Sequence, residues 1–251
     1  MRVRCCCRRR WSSEMSARRT FLRGASAAIG AMLAAIGLGA ASTAFAAGER
    51  VVLVVQKSGP HRAVDDAVAK RLGERGFVVQ LEDQKASPDV AANAALVVIS
   101  STVSSKDVDT GWRQVRVPLL TWENDFLDDL AMTGKKHDVD FGAETKERYL
   151  WIVNAPHPMA GGLPAGLANV YVKQAGMGWG RPGPGATTIA TIYGEPGKAA
   201  LFGYEKGATM HYESLAPARR VMVFLDNDTF TNLSASGLAL FDAAVDWAAG
   251  R

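Results

Sequence analysis

The sequence predicts an α/β fold: a doubly wound, mainly parallel sheet with helices on both faces and an antiparallel or mixed extension in its last third. Three observations carry this. Residues 51–55 (VVLVV), 96–99 (LVVI) and 117–120 (VPLL) are apolar runs without period-two alternation, as in strands covered on both faces. Residues 61–76 place Ala63, Val64, Ala67, Val68 and Leu72 at helical spacing before a stop at Gly76, so strand and helix alternate as in right-handed βαβ units. In the last third, short apolar runs at residues 170–173, 187–193, 199–204 and 221–225 are separated by Gly/Pro turns, the habit of antiparallel strands.

Taken in order, the chain opens with a leader. Arg18 and Arg19 precede Thr20, Phe21, Leu22 and Arg23, and a Gly/Ala-rich apolar run follows over residues 24–45. This is the arrangement of a twin-arginine export signal, and Ala44-Phe45-Ala46 supplies small residues for cleavage. The run is long enough to span a bilayer, but it is only weakly hydrophobic. A cleaved signal, no stable membrane anchor afterwards, and a periplasmic or secreted product are expected. Met15 is an alternative start, because residues 1–14 add cysteines and arginines that such a signal does not need.

Residues 1–46 hold eight of the 29 Lys and Arg, one of the 25 Asp and Glu, and all three cysteines. Residues 47–251 are left with 21 basic and 24 acidic residues, a net charge of −3. The basic balance belongs to the leader, and no cationic face remains for a nucleic-acid backbone. Without cysteine the segment has no disulfide, thiolate metal site or thiol nucleophile. Its length suits one α/β domain over residues 47–251.

After the first strand and helix, residues 77–81 read as a second strand, Ser87 as an N-cap before Pro88, and residues 94–99 as a third strand. A short helix over 104–115, a strand over 117–122 and a helix over 125–132 follow. Residues 133–145 read as irregular and 148–153 as a strand. Residues 176–185 are so rich in Gly and Pro that they read as a loop. Residues 233–249 close the chain as an amphipathic helix. Trp112, Trp122, Trp151 and Trp247 are expected to be buried, and Trp179 exposed.

The chemistry is expected beyond the carboxyl ends of strands, where open α/β sheets form their crevices. Glu123 follows the strand at 117–122 beside Trp122, a setting that raises a carboxyl pKa toward acid/base use; as a plain alternative it caps the next helix. His157, fixed between Pro156 and Pro158 after another strand, is the expected catalytic partner. Ser58, Ser101, Thr102, Asn124 and Asp226 sit beyond strand ends as ligand-binding candidates. Glu205 and His211 join them in a segment with Tyr204 and Tyr212 that suits a sugar. No His-x-His or His-x-x-x-His pair, P-loop, dinucleotide fingerprint or Gly-x-Ser-x-Gly elbow is present, so no metal and no cofactor are expected. Flavin binding lacks a Ser/Thr-rich phosphate cradle after the first strand.

The segments ISSTVSS (99–105), PLLTWENDFLDDLAMT (118–133), HPMAGGLPAG (157–166), ATTIATI (186–192), APARRVMVFL (216–225) and GLALFDAAVDWA (237–248) occur in this order. Together they resemble the ThuA-like, or trehalose-utilisation-like, branch of the class I glutamine-amidotransferase-like fold, in its secreted bacterial variant. The resemblance implies a flavodoxin-like sandwich and a link to sugar metabolism. Active amidotransferases of this fold place a cysteine on a strand-to-helix turn; here residues 122–124 read Trp-Glu-Asn, which excludes glutaminase chemistry. Two readings stay open: a domain that recognises a small polar ligand, with carbohydrate foremost, and a non-catalytic module that binds a protein partner.

Overall fold

The computed structural model describes residues 49–251; the twin arginine, the apolar run and the cleavage motif lie outside the described residues. Its strands, in chain order, are β1 (Arg50–Val55), β2 (Val78–Asp83), β3 (Leu96–Ile99), β4 (Leu119–Thr121), β5 (Phe141–Glu147), β6 (Tyr149–Ile152), β7 (Gly166–Asn169), β8 (Ala175–Gly180), β9 (Thr187–Ile192), β10 (Glu195–Tyr204) and β11 (Arg220–Met222). Two α-helices accompany them, α1 (Arg62–Glu74) and α2 (Ala235–Ala249).

All the strands belong to one sheet. Its first half is parallel and runs β2-β1-β3-β4-β11. This is the 2-1-3-4-5 order of the flavodoxin-like doubly wound fold, with β11 as the fifth strand. The second half continues β10-β9-β6-β7 with antiparallel pairing throughout, and β8 links β10 to β5. The mixed α/β class and the antiparallel extension are thus as expected.

Alternate residues of β1 point to two separate cores. Val51, Leu53 and Val55 join Val68 and Leu72 of α1 and Leu240, Phe241 and Val245 of α2. Val52 and Val54 face Trp112, Phe126 and Leu127 instead. Both α-helices therefore share one face, and Arg71 of α1 and Arg75 just after it pair with Asp242 and Asp246 of α2 across it. The opposite face carries single 3₁₀ turns at Pro88–Ala91, Ser105–Asp107, Thr110–Gln114 and Asn124–Phe126. The helices expected over 104–115 and 125–132 are these turns. The first is interrupted where the Asp109 carboxylate accepts the Gly111 N–H (2.7 Å), and the second stops at Ala131, whose φ of 58° leaves the helical region.

Four further expectations are corrected. Residues 175–180 form strand β8 instead of a loop, and Trp179 is 2% exposed. Residues 141–147 also form a strand, and Trp151 is 45% exposed on the antiparallel half. Trp112, Trp122 and Trp247 are buried.

Candidate functional site

The carboxyl ends of β3, β4 and β11 open into a crevice of about 290 Å³, lined by Ser101, Trp122, Glu123, Asn124, Asp226 and Asn227 among others. Each wall has a local cause. The Thr121 hydroxyl donates to the Ile99 carbonyl (3.0 Å) and accepts the Glu123 N–H (3.0 Å), so the end of β4 is tied to β3 where Glu123 leaves the sheet. Glu123 Oε1 accepts the Asp125 N–H (3.1 Å) and caps the turn Asn124–Phe126. Trp122 packs edge-on against Phe241 of α2, with ring centroids 6.2 Å apart.

Asp226 is held by a second set of bonds. Its N–H donates to Thr229 Oγ1 (2.8 Å), and its Oδ1 accepts the Asn227 N–H (2.7 Å). Strand β8 approaches from the side, and a Cβ on Gly176 would lie 1.9 Å from Asp226 Oδ2. Any side chain there would push the Asp226 carboxylate aside, so glycine at 176 leaves that carboxylate its place beside β8.

Burial and the neighbouring carboxylates of Asp125 and Asp226 push the Glu123 carboxyl up to about 8. It therefore holds its proton at neutral pH and can donate as well as accept. Ser101 Oγ and Asn227 Oδ1 are buried without a hydrogen-bond partner. Most buried polar atoms in proteins are paired; these two oxygens are closed off inside the wall, and a ligand would reach them only if the wall shifted. No lysine or arginine lines the crevice. Among the described residues, no group of three or more His, Cys, Asp and Glu is placed to hold a metal ion.

Of the expected site residues, Ser101, Glu123, Asn124 and Asp226 come together here. Thr102 does not, because its hydroxyl donates to Asp65 Oδ2 (2.9 Å) while that of Ser100 donates to Oδ1 (2.7 Å). Ser58 lies exposed in the loop after β1 and is not part of the lining. His157 cannot partner Glu123. It follows β6, which runs antiparallel to the β4–β11 set, so its loop emerges at the amino ends of the parallel strands. There its ring lies 5.4 Å from that of Trp247, its Nδ1 accepts the Met159 N–H (3.2 Å), and burial holds its pKa below the ordinary imidazole value. Glu205, at the end of β10, is at the same far end and accepts from Arg219 (2.9 Å), which precedes β11. His211 packs against Gly183 in the turn His211–Glu213, away from the crevice lining.

Asp65 was missed by the sequence reading although a signal existed. It stands three residues before Val68 and seven before Leu72, on the buried stripe of α1. Only 1% exposed, it clamps both neighbours of Ser101. Asp65→Ala is expected to lower unfolding free energy by about 2 kcal/mol, since two hydroxyls lose a charged partner while a buried carboxylate is relieved of its desolvation. Urea unfolding measures this, and an unchanged midpoint would show that the clamp is dispensable.

No family model matches the sequence, and no curated protein matches it. Among solved structures, the chain is similar to a Thermoplasma acidophilum protein assigned as one of the GMP synthase subunits. The two are 12% identical, with 80% of this chain and 95% of that one covered, at a TM-score of 0.48.

Proposed function

We propose that the chain is an exported ThuA-like domain of the class I glutamine-amidotransferase-like fold, one that recognises a small polar ligand at the carboxyl ends of its parallel strands. The single observation that carries this is the polar lining of the crevice, with Asn124 and Asp226 set around the proton-holding Glu123 carboxyl. A volume of about 290 Å³ lies at the small end of ligand sites and suits a monosaccharide. With no cysteine in residues 47–251, the domain is not a glutaminase. The twin arginine supports periplasmic or secreted localisation.

The test is a thermal-shift screen of the purified protein against mono- and disaccharides. A ligand at about a hundredfold over its Kd adds about 2.7 kcal/mol, or roughly 5–10 °C for a domain of this size. The shift is expected to shrink in Asn124→Ala and Asp226→Asn; a shift that survives both variants would place the site elsewhere.

A second reading, a module that binds a protein partner, is favoured by one separate feature. Trp151, Leu167 and Tyr193 lie exposed together on β6, β7 and the end of β9, and a contiguous apolar surface of this kind suits docking. Loss of a partner on Trp151→Ala, with no response to any sugar, would favour it.

A further inference from the structure

A second cavity, of about 500 Å³, lies at the other end of the sheet from the crevice, and its lining carries the opposite charge. Three segments meet there. Gln114 and Arg116 lead into β4, Pro217 leads towards β11, and Lys206 follows β10, which runs antiparallel to β11. The cavity therefore sits at the amino ends of the parallel strands. One wall is pinned from behind, because Arg220 draws the carbonyls of Arg113, Val115 and Val117 inward. Each peptide unit is planar and trans, so the Arg116 N–H is turned to the other side, where it has no backbone partner among the described residues. The facing wall is a turn closed by the Ala208 N–H on the Glu205 carbonyl (3.0 Å). Gly207, at a φ of 82°, supplies the left-handed position, and Lys206 stands at the tip. The Gly207 N–H then ties the turn to the Ala216 carbonyl (2.8 Å).

The charge of this cavity is uncompensated. Arg116 and Lys206 are both exposed, and no Asp or Glu lines the space. Among the described residues neither cation forms an ion pair; Glu205, next to Lys206 in the chain, is taken by Arg219 (2.9 Å). Behind the wall, the buried Arg220 adds a third positive charge that only carbonyl oxygens answer. The rest of the lining is largely apolar. Leu215 is 63% exposed, beside Ala216 and Pro217, so an apolar side chain is left to water next to two unpaired cations.

We infer that this cavity binds a small organic anion with an apolar body, an aryl phosphate monoester being the simplest form. The Arg116 fork takes two anionic oxygens, Lys206 supplies the second positive charge, and the body covers Leu215 and Pro217. A planar guanidinium suits bidentate contact with phosphate, whereas an ammonium acts as a point charge. The volume falls within the range of small-molecule sites. Neither half of the ligand is enough alone: a neutral aromatic leaves the cations unanswered, and an inorganic anion leaves Leu215 bare. The inference stands apart from the ligand role proposed for the crevice, which occupies the other end of the sheet.

The experiment is an amide NMR titration of the full chain at about pH 7.5, where a phosphate monoester carries close to two charges, with phenyl phosphate, phenol and inorganic phosphate as probes. Phenyl phosphate is expected to bind at least about tenfold more tightly than either of the others and to shift amides of residues 114–117 and 206–217. Its affinity should fall several-fold when salt is raised to about 0.5 M, since the cations are exposed. Arg116→Ala and Lys206→Ala are each expected to weaken binding about tenfold, and Arg116→Lys to recover only part of the loss. Asn124→Ala, in the crevice, should leave it unchanged. Inorganic phosphate binding as tightly as phenyl phosphate would overturn the inference, and so would binding that survives both alanine variants. Loss of binding in Asn124→Ala would overturn it by moving the anion to the crevice. Absence of any response to phenyl phosphate would overturn it while leaving the crevice reading intact.

Discussion

Replacing Arg220 by methionine is expected to lower unfolding free energy by about 3–4 kcal/mol, close to the cost of stripping a partner from a buried charge network. Arg220 is fully buried and, among the described residues, has no carboxylate partner. Its Nη1 donates to the Val117 and Arg219 carbonyls (both 3.1 Å), and its Nη2 to those of Arg113 (3.3 Å) and Val115 (2.5 Å). Burial pulls its pKa down to about 10, so the guanidinium stays charged at neutral pH. Methionine fills much of the volume; the Arg219 carbonyl keeps the Leu119 N–H (3.0 Å), but the Arg113, Val115 and Val117 carbonyls are left without the guanidinium donor. They belong to the segment that delivers β4, and β4 carries Glu123, so crevice binding should weaken together with stability. Arg220→Lys should recover only part of the loss, because a point charge cannot reach four carbonyls as a planar fork does. Urea unfolding decides, and a Met variant within about 1 kcal/mol of the parent would mean that water replaces the guanidinium.

What was legible in the chain follows from what each residue must satisfy locally. Val51 to Val55, Leu96 to Ile99 and Leu119-Leu120 read as buried strands because consecutive residues serve two cores, and the covering layers remove any need for alternation. Strand β8 was hidden because its glycines answer to tertiary contacts. A Cβ at 178 would lie 3.2 Å from the Leu225 carbonyl, and one at 180 would lie 2.9 Å from Thr133 Cγ2, so composition pointed to a loop where packing requires a bare strand. Arg220 was hidden for the opposite reason, since an arginine is mostly a surface residue and three of its four carbonyl partners lie more than a hundred residues upstream. At the candidate site, Glu123, Ser101, Asn124 and Asp226 could be placed because each follows a strand of the parallel half. The same rule misplaced His157, and Glu205, chosen for its aromatic neighbours, lies at the far end with it. A strand end is recognisable from local pattern, but its direction depends on pairing, and β6 and β10 run the other way.

The remaining large effect is a pH dependence that Glu123 imposes on the whole fold. An ordinary glutamate titrates near 4.5, whereas in the folded state this one is held up to about 8. Below the lower value both states are protonated and the native contribution is fully present. As pH rises from there the unfolded chain ionises while the folded one keeps its proton, so stability falls until the folded pKa is passed. At 1.36 kcal/mol per tenfold change in ionisation constant, the whole decline amounts to roughly 4–5 kcal/mol as an upper bound. Glu123→Gln has the same shape, keeps an oxygen for the Asp125 N–H, and cannot ionise. It should match the parent near pH 5 and exceed it in stability near pH 9, where the parent must bury a charge beside Asp125 and Asp226. Unfolding free energies across this range provide the measurement, with carbon NMR titration of the Glu123 carboxyl as the direct check. Parallel curves for parent and variant would show that the carboxylate reaches water, and the crevice would then lack the dry, proton-holding group on which its donor role depends.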